Sequence, residues 1–174
     1  MRLFYALTFS ADTKRRLSTV RDHLADHALK GRFTREPNFH ITLEFIGQAT
    51  RNQADMLLAV LYTLTRLPYQ VTTQSLGSFH RKGRDLVWLG IDKEPQLMAL
   101  QHQLRSRLSE AGFSPEKRRF LPHVTLGRNV VLDQPLAGFF VPKMELDVRS
   151  VALMESKTVN NLLVYDIVDE LRHK

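Results

Sequence analysis

Asn38-Phe39-His40-Ile41-Thr42-Leu43-Glu44-Phe45-Ile46-Gly47 and Phe120-Leu121-Pro122-His123-Val124-Thr125-Leu126-Gly127-Arg128 share one tetrapeptide pattern, His-x-Thr-x with apolar residues in the second and fourth places. In an extended strand successive side chains alternate, so Phe39, Ile41, Leu43 and Phe45 are expected on the core side and His40, Thr42 and Glu44 on the other. In the second copy Val124 and Leu126 take the core side, leaving His123 and Thr125 together on the opposite face. Each strand presents an imidazole and a hydroxyl side by side. A lone His-x-Thr on a strand is commonly a packed or surface pair. Two copies with the same apolar places, 83 residues apart in a chain of 174, point instead to two similar lobes that contribute equally to one site.

Residues two apart on a strand are separated by roughly 6.5 to 7 Å, which lets an imidazole and a hydroxyl converge on one phosphate. Opening a cyclic phosphodiester with water requires a base for the water proton and an acid for the departing sugar oxygen. Histidine, with a reference pKa near 6.5, serves in either role near neutral pH. Thr42 and Thr125 would donate to the non-bridging phosphate oxygens, their β-branched side chains keeping the hydroxyls aimed. By symmetry either His40 or His123 is able to act as the base.

The rest of the chain reads as a globular frame for these strands. Apolar residues at 43% and charged residues at 25% are near globular averages, favouring neither disorder nor a membrane protein. No apolar run approaches the roughly 20 residues that a spanning helix needs. The N-terminal Met1-Arg2-Leu3-Phe4-Tyr5-Ala6-Leu7-Thr8-Phe9 reads as a first strand, without a cleavage pattern, so a cytoplasmic protein is the expectation. The absence of cysteine excludes disulfides, thiolate metal sites and cysteine nucleophiles. Twenty-five Lys and Arg against 18 Asp and Glu give +7, which suits a phosphate-rich partner.

Leu17, Val20, Leu24 and Ala28 mark an amphipathic helix over 11–28. Thr50 and Gln53 form a capping-box pattern ahead of Leu57, Leu58, Leu61 and Leu64, a helix stopped before Pro68. Leu97, Leu100, Leu104 and Leu108 stripe a third, from about Glu94 to Ala111, with Gly112 placed for a left-handed cap. Strands are expected over 3–9, 39–46, 69–76, 86–91, 123–127, 146–154 and 162–168. Strands outnumber helices and hairpin-like pairs close the second half, so an α+β arrangement is favoured over a doubly wound sheet.

The chain resembles the 2H phosphoesterase superfamily, and within it the bacterial and archaeal RNA 2′,3′-cyclic phosphodiesterases, also called 2′-5′ RNA ligases. The resemblance rests on both motifs, on the opening strand Met1-Arg2-Leu3-Phe4-Tyr5-Ala6-Leu7 and on Leu86-Val87-Trp88-Leu89-Gly90-Ile91, and covers nearly the whole chain. It implies one two-lobed domain over 1–174, with antiparallel sheets flanked by helices in pseudo-twofold relation about a central cleft. It implies no cofactor and no metal, and hydrolysis of RNA 2′,3′-cyclic phosphate ends to 2′-phosphates, with His40 as proton donor and His123 as proton acceptor. The expected partner is RNA with such an end, tRNA fragments among them, acted on by a monomer away from membranes. Reversal would join that end to a 5′-hydroxyl through a 2′-5′ bond. Competing readings keep the cleft but change its use: a phosphodiesterase of small cyclic nucleotides or of an ADP-ribose cyclic phosphate, or a non-catalytic RNA-binding protein.

Further contacts are open between site and surface. Arg128 has the wrong strand parity to share the face of Thr125 unless the chain bends at Gly127. Arg118 and Arg119 precede the second motif in a basic loop and are candidate RNA contacts, with a solvated surface role as the alternative. Phe79, ahead of the basic run His80-Arg81-Lys82-Gly83-Arg84, is a candidate base-stacking platform or a core residue. Glu44 is left outside the site. His23 and His27 stand four apart on the first helix, a metal-binding spacing, but have no evident companion ligands.

Overall fold

Helix α1 (Ala11–Ala25) begins where the Ser10 hydroxyl accepts from the Thr13 backbone N–H. Helix α2 (Arg51–Tyr62) carries the full capping box, with Thr50 and Gln53 each bonded to the other's backbone. Helix α3 (Pro95–Glu110) opens on a proline at its first position and ends ahead of Gly112, which adopts φ +90°. The computed structural model describes residues 1–80 and 85–173. Two of the helices are shorter than the apolar stripes suggest. Helix α1 stops at Ala25, and Ala28 already belongs to a strand; α2 stops at Tyr62, where the Thr63 hydroxyl and N–H both turn back to the Val60 carbonyl.

Eight strands complete the described chain: β1 (Arg2–Phe9), β2 (Ala28–Phe33), β3 (Ile41–Gln48), β4 (Gln70–Phe79), β5 (Leu86–Ile91), β6 (His123–Leu132), β7 (Glu145–Val159) and β8 (Leu162–Arg172). All pairings are antiparallel. They run in the order β1-β3-β6-β5-β4-β7, and β7 also pairs with β1, which closes a ring; β8 lies outside β7 and β2 outside β6. β7 and β8 form a long hairpin turned by Asn160 and Asn161, both at positive φ, as a tight two-residue turn demands. β2 has no signature in sequence because it is an edge strand with exposed side chains along its middle and irregular register.

The ring has a local twofold relation. Ile41 pairs with Val124, the second residues of the two tetrapeptides, and the contact joins β3 to β6. Across the ring β4 and β7 pair over three residues in the same antiparallel sense. Leu17, Leu57, Leu61, Leu97, Leu100 and Leu104 pack from the helices onto the same core as Ile41, Val124 and Leu126. This α+β sheet with three helices leaves the other strand faces for a cleft.

Strict alternation fails in each motif strand directly after the threonine, at the same place in both. Tyr5 faces Glu44 while Ala6 faces Thr42, so Leu43 is an extra residue on β3; Val87 faces Gly127 while Trp88 faces Thr125, so Leu126 is the extra residue on β6. The bulge overturns two expectations drawn from strand parity. Phe45 is 40% exposed, with the Arg2 guanidinium 4.8 Å from its ring centre, instead of lying in the core. Glu44 is buried on the helix side instead of sharing the face of His40. Its carboxylate accepts from Arg105 Nε (3.1 Å), Gln101 Nε2 (3.1 Å) and the Glu116 backbone N–H (3.0 Å). That bonding ties β3 to α3 and to the segment leading into the second motif, where the Arg118 carbonyl also accepts from Arg105.

Removing one member of a buried, hydrogen-bonded ion pair leaves its partners unsatisfied, at a cost of about 3 to 5 kcal/mol. Glu44→Ala is expected to lower the unfolding free energy by about 3 kcal/mol, near the low end because Arg105 keeps some solvent contact. Urea unfolding followed by circular dichroism checks it, and a midpoint within error of wild type would show that this bonding contributes nothing.

Candidate active site

Because Ile41 and Val124 are wholly buried and paired, His40 and Thr42 must emerge on one side of the β3–β6 seam and His123 and Thr125 on the other. The two histidines are held alike. His40 Nδ1 lies 2.7 Å from the Asn38 carbonyl and His123 Nδ1 lies 2.7 Å from the Leu121 carbonyl, each two residues back. A carbonyl only accepts, so Nδ1 carries the hydrogen in both rings, and in the neutral state Nε2 is the unprotonated, basic nitrogen. The first carbonyl is itself anchored, since the buried Asn38 side chain donates to the Leu163 carbonyl of β8 at 2.9 Å.

The rings differ in their surroundings. His40 sits between Phe4 and Tyr165, each 5.1 Å away, and its Nε2 accepts from the Thr42 hydroxyl at 2.9 Å. Burial among these groups pushes its pKa down to about 4; the Asn38 carbonyl opposes the shift, and the charges of His123, Arg128 and Lys14 add to it. His123 meets Phe79 at 5.4 Å and Trp88 at 5.8 Å. Its pKa is also lowered by burial, with the Leu121 carbonyl opposing and Arg128 reinforcing. Both rings are thus predominantly neutral at pH 7, in surroundings that disfavour the added proton. An anion placed between them reverses that electrostatic sign.

Arg128 is the charge common to both histidines. The bulge at Leu126 supplies the irregularity that strand parity lacked, returning Arg128, five residues after His123, to the open side of β6. Gly127 belongs to the same device: a Cβ there would lie 2.7 Å from Val130 Cγ2 and 3.3 Å from the Arg32 carbonyl, where β2 crosses closely. Phe79 flanks His123 edge-on. Arg118 turns to Glu116, 3.3 Å away, and Arg119 is exposed in the same loop; among the described residues the cations acting on the histidines are Arg128 and Lys14. Of the basic run after Phe79, His80 is bonded to Ser78, and Arg81, Lys82, Gly83 and Arg84 lie outside the described residues.

His23 and His27 pack edge-on against each other and against Phe139, and His27 pairs with Asp133 at 3.2 Å. Among the described residues no group of three or more His, Cys, Asp or Glu side chains is placed to hold a metal. No described helix is long and apolar enough to cross a membrane. Phe4, Tyr165, Trp88 and Lys14 are neighbours of the histidines that sequence reasoning missed. Trp88 was within its reach, since alternation along Val87-Trp88-Leu89 sets the indole opposite two core residues. Phe4, Tyr165 and Lys14 are brought in by strand order and a helix start, which no local pattern encodes.

A family model described as the 2′-5′ RNA ligase superfamily matches residues 9–160. An RNA 2′,3′-cyclic phosphodiesterase of Thermotoga maritima is 33% identical over 131 residues, 74% of this chain and 70% of that protein. One from Archaeoglobus fulgidus is 28% identical over 164 residues, 90% and 91% of the two chains. The crystal structure of Escherichia coli LigT complexed with 3′-AMP shares the fold, with a TM-score of 0.77 and 24% identity over 98% of this chain and 97% of that one. TT0787 of Thermus thermophilus gives 0.76 at 23% identity, over 99% and 97%.

In the free protein the His40 ring should titrate near pH 4 and His123 below the ordinary 6.5, measured by NMR on the imidazole protons. Inorganic phosphate should raise both values, because an anion favours the imidazolium. A His40 midpoint at or above 6.5 without ligand would contradict the electrostatics described here.

Proposed function

This chain belongs to the 2′-5′ RNA ligase superfamily, and on that footing we propose that it hydrolyses RNA 2′,3′-cyclic phosphate ends to 2′-phosphomonoesters by acid–base catalysis between His40 and His123. The observation that carries this reading is the pair of imidazoles fixed in the same tautomer, Nδ1–H to a backbone carbonyl, with Nε2 left as the basic nitrogen and the two rings close enough for His123 to act on the charge of His40.

The reaction follows from that geometry. Water attacks phosphorus and loses a proton to His123 Nε2; the P–O3′ bond breaks, and O3′ takes the proton from His40 Nε2–H, leaving a 2′-phosphate and a 3′-hydroxyl. His40 must therefore be loaded with a proton, and the phosphate monoanion beside it supplies the attraction that the empty cleft lacks. Once loaded, a ring of such low proton affinity is a strong acid. Protonation also frees Thr42, because the Nε2 that accepted its hydroxyl becomes a donor, and the hydroxyl is released to a non-bridging phosphate oxygen. Thr125 makes the matching contact from the other strand. Arg128 offsets the charge that grows on phosphorus, and Phe79, Arg118 and Arg119 extend the contact to the nucleotide and the RNA backbone.

Microscopic reversal, with a 5′-hydroxyl in place of water, forms a 2′-5′ bond, so the same residues support ligation. Hydrolysis dominates because water is abundant and a second RNA end is not. The whole chain, 1–174, works as one two-lobed domain, monomeric and cytoplasmic, on RNA ends that include tRNA fragments; its +7 charge fits such a polyanion. It uses no metal and no cofactor.

A short RNA ending in 2′,3′-cyclic phosphate, assayed in EDTA with 2′- and 3′-phosphate products resolved, tests the proposal. Release of the 2′-phosphate is expected. His40→Ala and His123→Ala should each lose about 10² to 10⁴-fold in kcat/KM, the usual worth of a positioned acid or base. Thr42→Ala and Thr125→Ala should lose on the order of 10- to 1,000-fold. Full activity in both histidine variants, or inhibition by EDTA that zinc or manganese reverses, would overturn it.

The pH profile of kcat/KM has its own expected sign. The active pair carries one proton, and both histidines sit below their ordinary 6.5 in the free protein. Activity should therefore fall as pH rises through the higher of the two, giving a bell centred on the acid side of 6.5. A maximum above pH 7.5 would exclude these two rings as the titrating pair.

A further inference from the structure

The two flanks of the cleft differ in chemistry. Beside His40 lies a polar cavity of about 110 Å³ lined by Thr8, Lys14, Asn38, Arg149 and Tyr165. Beside His123 lies a larger, mainly apolar pocket of about 250 Å³ walled by Phe79, Trp88, Leu121 and Pro122, with Gln74 and Lys93 at its rim. Leu121 is 48% exposed, an apolar side chain facing solvent at the mouth.

The floor of the second pocket is built by omission of side chains. Trp88 pairs directly with Gly77 on β4, and a Cβ on Gly77 would stand 2.2 Å from the indole ring. Gly90, two residues along β5, would bring a Cβ to 3.3 Å. Two glycines on neighbouring strands thus let the indole lie down on the sheet, next to Thr125, its partner on β6, while Gly90 pairs with His123. The position is steric: the buried indole N–H has no hydrogen-bond acceptor among the described residues, so no polar contact of its own holds the ring there. Phe79, on the same face of β4 as Gly77, closes the pocket side 5.1 Å from the indole. An aromatic floor and wall at the rim of a phosphate-binding motif match what an unpaired nucleobase requires, since stacking accepts any base and polar groups at the edge read it.

We propose that the Trp88–Phe79 pocket seats the base of the terminal, cyclic-phosphate-bearing nucleotide. The ribose then spans from the pocket to the histidines, and the polar cavity beside His40 is left for the more solvated parts of the RNA. The choice between flanks follows from charge: Lys14 and Arg149 line the first cavity, and desolvating them under a neutral base is costly. Stacking area ranks the ligands, so purine ends bind ahead of pyrimidine ends. This assignment rests on the phosphodiesterase reading and refines its substrate.

Trp88 is the chain's one tryptophan, so its fluorescence reports on this pocket alone. In the His40→Ala protein, whose turnover is slowed, adenosine 2′,3′-cyclic phosphate should quench that fluorescence saturably, and ribose 2′,3′-cyclic phosphate lacking a base should not. In the active protein the ratio of kcat/KM for the nucleotide to that for the abasic compound should fall by about 5- to 150-fold in Phe79→Ala and in Trp88→Leu, the worth of one stacked base. Equal binding of both compounds with no quenching, or an unchanged ratio in both variants, would overturn the pocket while leaving the hydrolase intact. Failure of the wild-type protein to hydrolyse either compound or a cyclic-phosphate RNA would instead defeat the phosphodiesterase reading itself.

Discussion

The pairing of Ile41 with Val124 is the contact on which the site depends. Both side chains are buried to the last per cent, and each lies between the histidine and the threonine of its own tetrapeptide. An antiparallel pair between equivalent residues is a local twofold axis, so whatever one strand displays toward the cleft the other displays in reverse. In the proposed reaction one strand supplies the acid and the other the base. The apolar second residue of each motif holds the two half-patterns against each other through burial. Polar side chains at 41 or 124 would weaken the seam that brings the two histidine-bearing strands together.

Beyond that seam, the bulges decide what the motif's neighbours do. A regular strand after Thr42 would send Glu44 to the cleft, where a carboxylate next to the phosphate would repel the substrate. The extra residue at Leu43 turns Glu44 inward, where it fastens α3 and the approach to the second motif. The matching bulge at Leu126 turns Arg128 toward the histidines. One backbone irregularity, used twice, turns a carboxylate away from the histidines and a guanidinium toward them. The energetic requirement is local: Gly127 must lack a side chain to admit β2, and Glu44 must find three donors under the sheet.

This also explains how far the sequence was legible. The placement of His40 and Thr42 beside His123 and Thr125 was readable because their apolar partners alternate over four residues, within which each strand is regular. The helices were readable from their leucine stripes and from the Thr50–Gln53 cap, though helix α1 gave way at Ala25 to a strand whose exposed residues carry no periodicity. Phe45, Glu44 and Arg128 were misplaced by parity for one reason: a bulge is stated by the pairing partner, and the partners Tyr5 and Val87 lie some 40 residues away in sequence. Tyr165 and Lys14 reach His40 through strand order, which periodicity does not express.

The surroundings of the two imidazoles carry the last step. A cleft that only stabilised imidazolium would hold both rings protonated, and no base would remain; one that only desolvated them would have no acid. Aromatic packing on both sides of His40 and the shared Arg128 keep the empty site neutral, while the backbone carbonyls of Asn38 and Leu121 hold each ring ready to accept a proton at Nε2. The balance is tipped by a charge that the protein does not contain. In the proposed reaction a phosphate anion between the rings would compensate Arg128 and restore the attraction for one proton, so acid and base would be established together, and only when a substrate is there to use them.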